Sequence, residues 1–192
     1  MSTIKTLFNL FPQKDVSPTW EEFAQKHNGK YWFDIRDCVK INYKEFEINL
    51  DQHMHYINAG SGYEMYVLRI QCEFPNLSDF RFRLTPESWV EKIGKLFGLQ
   101  DVQIHDFRFD KKHLIKSNDP DKITRILNSE SLKIGLSQVP LIRLELTENK
   151  CLFDEKAAEG NVMLYFASEL KVKKVRELND HFELFLKILK EL

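Results

Sequence analysis

The chain has 192 residues, 43% of them hydrophobic and 15 of them Phe, against 7 Gly and 6 Pro, which describes a globular chain with a sizeable core and excludes a disordered or low-complexity one. Lys and Arg number 28 against 29 Asp and Glu, a formal net charge of −1, so the basic field that a nucleic-acid backbone requires is absent. No apolar run approaches the roughly 18 residues needed to span a bilayer.

Residues 1–17 read as a tail or a short amphipathic helix. Ile4, Leu7, Phe8, Leu10 and Phe11 are interleaved with polar residues, and no small-residue cleavage site follows them. Residues 18–192 read as a single domain, with possible halves at 18–98 and 99–192. Ser17-Pro18-Thr19-Trp20 is a helix entry, Trp20, Phe23 and Ala24 form its apolar stripe, and Asn28-Gly29 ends it. Short strands are expected over residues 31–35 and 38–43. Phe46, Ile48 and Leu50 then alternate with Glu47, Asn49 and Asp51, the period of a half-buried strand. Turn residues at 57–62 lead to a long strand over 63–74, and Pro75-Asn76 turns the chain into Phe80, Phe82 and Leu84, whose opposite face carries Arg81 and Arg83. Connections this short favour an antiparallel meander of about five strands.

Two helix starts of the same kind follow. Thr85-Pro86 is expected to open a helix running to about Phe97 and ended by Gly98, and Asp119-Pro120 opens one that buries Ile123, Ile126 and Leu127. Between them a strand begins at Val102 and Ile104. Further strands are expected over residues 141–146, 151–153 and 162–167. Val172, Val175, Leu178, Phe182, Phe185, Leu186, Leu189 and Leu192 then mark a long amphipathic C-terminal helix. The pattern is α+β: a largely antiparallel sheet in two meanders with helices packed on it.

Gly94-Lys95-Leu96-Phe97-Gly98-Leu99-Gln100-Asp101, Ile104, Phe109-Asp110 and Ile115-Lys116-Ser117-Asn118-Asp119-Pro120 form a specific run in mid-chain. It resembles a family of uncharacterised bacterial proteins whose motif reads KLFGxQDIxIG followed by FDxxFIIKGNDP and a helix. The likeness extends more loosely to Trp20-Glu21-Glu22-Phe23-Ala24, Leu50-Asp51 and residues 182–189. His105 and Ser117 stand where that motif tends to carry Gly, and His113 where it carries a large apolar residue. The resemblance implies a bacterial origin and transfers no activity and no site.

Two polar sets are candidates for chemistry. Asp51, His53 and His55 share one face of a strand, a spacing that can offer two imidazoles and a carboxylate to one metal; polar residues are also what a solvent-facing strand carries. His105, Asp106, Asp110 and His113 could bring a base and its orienting carboxylate together; capping and turn bonding account for the same residues. No nucleophile motif accompanies either set, and there is no Walker or dinucleotide glycine pattern, so no cofactor is expected. Lys171, Lys173, Lys174 and Arg176 read as a solvated basic face. Cys38, Cys72 and Cys151 are far apart and odd in number, pointing to free thiols in a reducing, cytoplasmic location. The favoured expectation is a non-catalytic interaction or binding module with a protein partner, without nucleic acid or a membrane span. The alternative is a small-ligand-binding protein or hydrolase-like enzyme with a pocket near residues 105–113 or 51–55.

Overall fold

The computed structural model describes residues 17–57, 63–87, 100–149, 151 and 156–192. Along the described chain run α1 (Pro18–Lys26), β1 (Lys30–Phe33), β2 (Asp37–Tyr43), β3 (Phe46–Ile57), β4 (Tyr63–Pro75), β5 (Phe82–Pro86), β6 (Gln100–Val102), α2 (Phe107–Asp110), β7 (His113–Ser117), α3 (Pro120–Leu127), α4 (Glu130–Gln138), β8 (Leu141–Thr147), β9 (Asn161–Glu169) and α5 (Val175–Lys190). The strands form one sheet in the order β1-β2-β3-β4-β9-β8-β5-β7-β6, and the paired neighbours are antiparallel. The fold is α+β.

Side chains alternate across a strand, so each cross-strand row belongs to one face. One row runs Tyr31, Val39, Leu50, Ile70, Phe166, Leu144, Leu84, Ile115, Val102, from one edge of the sheet to the other without a polar residue. The adjacent row runs Lys30, Lys40, Asn49, Gln71, Tyr165, Glu145, Arg83, Lys116, Asp101, without an aliphatic one. The register of the whole sheet is therefore fixed by its faces: a one-residue slip of any strand would exchange the two sets.

Helices cover the apolar face. Trp20 and Phe23 of α1, Ile123 and Leu127 of α3, Leu132 and Leu136 of α4, and Leu178, Phe182 and Phe185 of α5 share one core with that row. Burying each of these large side chains contributes about 2 kcal/mol before entropy is counted. Phe23 meets Phe182 edge to face, ring centroids 5.6 Å apart, and His27 Nε2 lies 2.8 Å from Asn179 Oδ1, which fastens α1 to α5. The polar face carries a smaller apolar cluster of Met65, Val67, Ile142, Cys151, Ala157, Met163, Tyr165 and Ala167. A bulge between Leu141 and Arg143 accompanies Ile142 in that cluster.

Three expectations need correction. The opening meander holds for β1 to β4 only; β5 does not follow β4 in the sheet but lies between β8 and β7. Pro86 does not begin a helix: it ends β5, opposite His113 of β7. Proline serves at a strand end as readily as in a first helical turn, since neither place needs its missing N–H. The strand expected to begin at Val102 and Ile104 lies earlier, β6 running from Gln100 to Val102 and leaving Ile104 outside it. The helix expected as far as Phe97, the strand expected over 151–153 beyond Cys151, the turn at 58–62 and residues 1–16 lie outside the described residues.

Candidate functional site

The polar face is organised around two buried carboxylates, each held by two guanidinium groups. Asp51 of β3 stands opposite Arg69 of β4, which is only 1% exposed. Arg69 Nε donates to Asp51 Oδ1 at 2.6 Å and Nη2 to Oδ2 at 2.5 Å, while Arg36 Nε, from the β1–β2 turn, donates to Oδ2 at 2.9 Å. Bidentate geometry of this kind is what makes a buried carboxylate tolerable. Glu145 of β8, 0% exposed, accepts from Arg83 Nε of β5 at 2.6 Å and faces Arg143 Nη1 at 3.5 Å. Between the two clusters stands Tyr165 of β9, fully buried, with a hydroxyl that has no hydrogen-bond partner among the described residues. Burial pushes its ionisation well above the usual phenol range.

His53 and His55 extend the Asp51 face along β3. Their rings stack with centroids 5.8 Å apart and planes 13° from parallel, and His53 Nε2 lies 3.8 Å from Asp51 Oδ2. Burial, followed by the charge of Arg69, pulls the His53 imidazole down to about 4; the same two causes lower His55. Both shifts favour the neutral imidazole. The metal reading of Asp51, His53 and His55 meets a chemical obstacle: both oxygens of Asp51 are already engaged by arginines. Among the described residues no group of three or more His, Cys, Asp or Glu is placed to hold a metal ion.

The surroundings of Arg36 are open. A cleft of about 320 Å³ lies on one side of the β1–β2 turn, lined by Ile35, Arg36, Gln52, His53, Met54 and Tyr66. Another of about 300 Å³ lies on the other side, over Trp32, Asp34, Cys38, Asn49 and Gln71. Ile35 is 80% exposed, Met54 46% and Trp32 37%; Trp32 belongs to the Asp51 face of the sheet edge, Met54 to the opposite face, and Ile35 to the turn between them.

The second candidate set is committed to structure. Asp106 caps α2, its Oδ1 accepting from the backbone N–H groups of Arg108 and Phe109, and its Oδ2 receives Lys133 Nζ at 3.1 Å. These bonds hold the carboxyl below its usual range. Asp110 Oδ1 accepts from Ile104 N at 3.1 Å, closing the turn that precedes α2. His113 is buried, its Nδ1 3.1 Å from the Phe109 carbonyl and its ring 4.3 Å from the Phe109 ring; burial lowers its pKa. His105 is exposed and has φ +61°. The bonds of Asp106, Asp110 and His113 run to backbone groups and to Lys133, and none of them joins two of the four residues.

A serine–histidine contact went unread in the sequence. Ser168 Oγ lies 3.1 Å from His181 Nε2, and His181 Nδ1 lies 2.8 Å from the Glu177 carbonyl. Ser168 Oγ also donates to the Pro140 carbonyl at 3.2 Å, and both side chains are buried. The contact joins α5 to β9 and offers no approach for a substrate to the fully covered hydroxyl. No family model, curated protein or solved structure matches the chain.

Proposed function

We propose that the chain is a non-catalytic binding module whose partner, another protein, docks on the corner formed by the β1–β2 turn and β3. The observation that carries this reading is the 80% exposed Ile35 beside an Arg36 that is itself pinned to buried Asp51, with Met54 exposed in the cleft on one side and Trp32 in the cleft on the other. Exposed apolar side chains on a rigid, charged support have the composition of an interface centre. The candidate carboxylates Asp51, Asp106 and Asp110, by contrast, are engaged in an ion pair, a cap and a turn.

Protein is favoured over nucleic acid because the arginines that alternate with phenylalanine are neutralised internally. Arg81 Nη2 donates to Glu148 Oε2 at 2.9 Å and Arg83 pairs with Glu145. A cytoplasmic location is part of the proposal and is supported by three free, buried cysteines. Among the described residues no helix is long and apolar enough to cross a membrane. A place in the bacterial family with the KLFGxQDIxIG motif is likewise proposed. The left-handed φ of +61° at His105, where that motif tends to carry Gly, supports it. Ser117, the other such position, is fully buried and donates its hydroxyl to backbone oxygens of Arg81 and Asp119 at 2.9 and 3.1 Å.

The test compares proteins retained by the tagged chain with those retained by an Ile35→Glu/Met54→Glu variant and by an Ile134→Glu control on α4. A partner lost from the first variant and kept by the control supports the reading. Identical partner sets for all three chains would refute it.

A further inference from the structure

A different part of the molecule has the form of a ligand site. Beneath the last turn of α5, where the ends of β3, β4, β8 and β9 meet the helical layer, lies a slot of about 340 Å³. Its walls are Phe46, Phe74, Phe80, Leu146, Val162 and Leu189. That volume is at the lower end of small-molecule pockets, and the mostly apolar lining with one cationic group is their usual composition.

The cationic group is Lys122, and its position is unusual for the helix that carries it. Asp119 caps α3, so Pro120, Asp121 and Lys122 fill the first turn, where the helix dipole favours carboxylates and opposes an ammonium. Lys122 makes no ion pair with an acidic side chain among the described residues. Its Nζ stands 4.4 Å from the centroid of the Phe80 ring and 3.4 Å from the Leu192 carbonyl oxygen, at the mouth of the slot. Lys44 and Lys190 lie beside Tyr43, 5.7 and 6.0 Å from its ring centroid, and Tyr43 is the register partner of the lining residue Phe46. Glu45 is the one acidic side chain in the lining, which also includes Leu192. The charged side chains of the lining are thus Lys122 and Glu45, with Lys44 and Lys190 outside it beside Tyr43.

We propose that this slot binds an anionic amphiphile of the fatty-acid class, its carboxylate at Lys122 and its acyl chain between the Phe74, Phe80, Leu146 and Leu189 side chains. The apolar walls supply the burial of the chain, and the ammonium, already partly desolvated against Phe80, supplies the counter-charge. The site is separate from the corner around Arg36 and does not depend on the binding-module reading.

The experiment is calorimetric titration of the purified full chain with dodecanoate below its micelle concentration, and in parallel with dodecyltrimethylammonium, which has the same chain length and the opposite charge. Lys122→Glu is the key variant. Glutamate at the third position of a capped helix favours the fold, so this variant isolates the head group. Phe46→Glu, checked for folding by circular dichroism, places a charge against the chain. Saturable dodecanoate binding that weakens about tenfold in Lys122→Glu, with the cation preferring that variant, is the expected result. Three results would overturn the proposal. They are no saturable heat, equal dodecanoate affinity in both chains, or a dimer that Leu77→Asp dissolves and dodecanoate leaves intact, since a second copy would then cover the slot through the 93% exposed Leu77.

Discussion

Asp51 and Arg69 stand directly opposite each other on β3 and β4, and the guanidinium closes on the carboxylate through two bonds of 2.6 and 2.5 Å. Removing one partner of a buried pair strands a charge, which costs more than the pair itself contributes. Arg69→Met is therefore expected to lower stability by about 3 kcal/mol, the low end of the range for such losses because Arg36 still holds Asp51. An Asp51→Leu/Arg69→Met double variant is expected to recover at least half of that loss. Urea unfolding midpoints of the two single variants and the double close the cycle. An additive double variant would mean that the two residues do not act as a unit.

Protonation of the buried imidazoles sets an acid limit on the fold. His53 is drawn down to about 4, and His55, His113 and His181 are lowered as well, in each case first by burial. In the unfolded chain these groups titrate near 6.5. As pH falls through 6.5 the unfolded state takes up protons that the folded state refuses, so their contribution is complete above about pH 6.5 and is lost progressively toward pH 4. Two-dimensional NMR of the imidazole protons should place the His53 midpoint well below 6, and His53→Gln should flatten the decline of stability between pH 6.5 and 4. A His53 midpoint at or above 6.5 would contradict the burial of its ring.

The turn at residues 105–110 is expected to respond as structure. Asp106→Ala removes the cap on Arg108 N and Phe109 N and should cost about 1 kcal/mol. His105→Gly should gain up to about 1 kcal/mol, because φ of +61° strains any residue with a Cβ. Thermal unfolding measures both, and opposite signs are the outcome expected. Neither change should alter partner binding at the Arg36 corner.

Gly29, which follows α1, lies against the outer strands so closely that a Cβ there would sit 2.8 Å from the Lys40 carbonyl oxygen and 2.9 Å from Ile41 Cγ1. The neighbour is backbone within a paired strand and cannot swing aside. Gly29→Ala is expected to destabilise the chain by about 1–3 kcal/mol, read as a lower unfolding midpoint in urea.

What the sequence made legible was local. The alternation of Phe46, Ile48 and Leu50 with Glu47, Asn49 and Asp51, the Asp119-Pro120 helix start and the stripe of α5 all express periodicities that a single element must satisfy. Strand order was not local. β5 reaches β8 by pairing Arg83 with Glu145, 62 residues away, and nothing in either segment names the other. Thr85-Pro86 misled because a proline in a strand end and one in a first helical turn have the same local sequence. The Asp51 face was read from its own strand as Asp51, His53 and His55. The residue that decides its chemistry, Arg69, lies across the next strand, and its relation to Asp51 exists only once the register is known. Which residues wall the slot under α5 was illegible for the same reason: they come from β3, β4, β8, β9, α5 and the segment before β5, and close only in three dimensions.

The central claim is that the corner around Arg36 is the working surface of the protein. Its most direct test is site-specific photo-crosslinking in cells, with the photoreactive residue placed in turn at Ile35, Met54 and Ile134. The account predicts one discrete adduct from positions 35 and 54, none from 134, and loss of the adduct when Arg36→Glu breaks the turn away from Asp51. Adducts of equal yield from all three positions, or a discrete adduct from 134 alone, would contradict it.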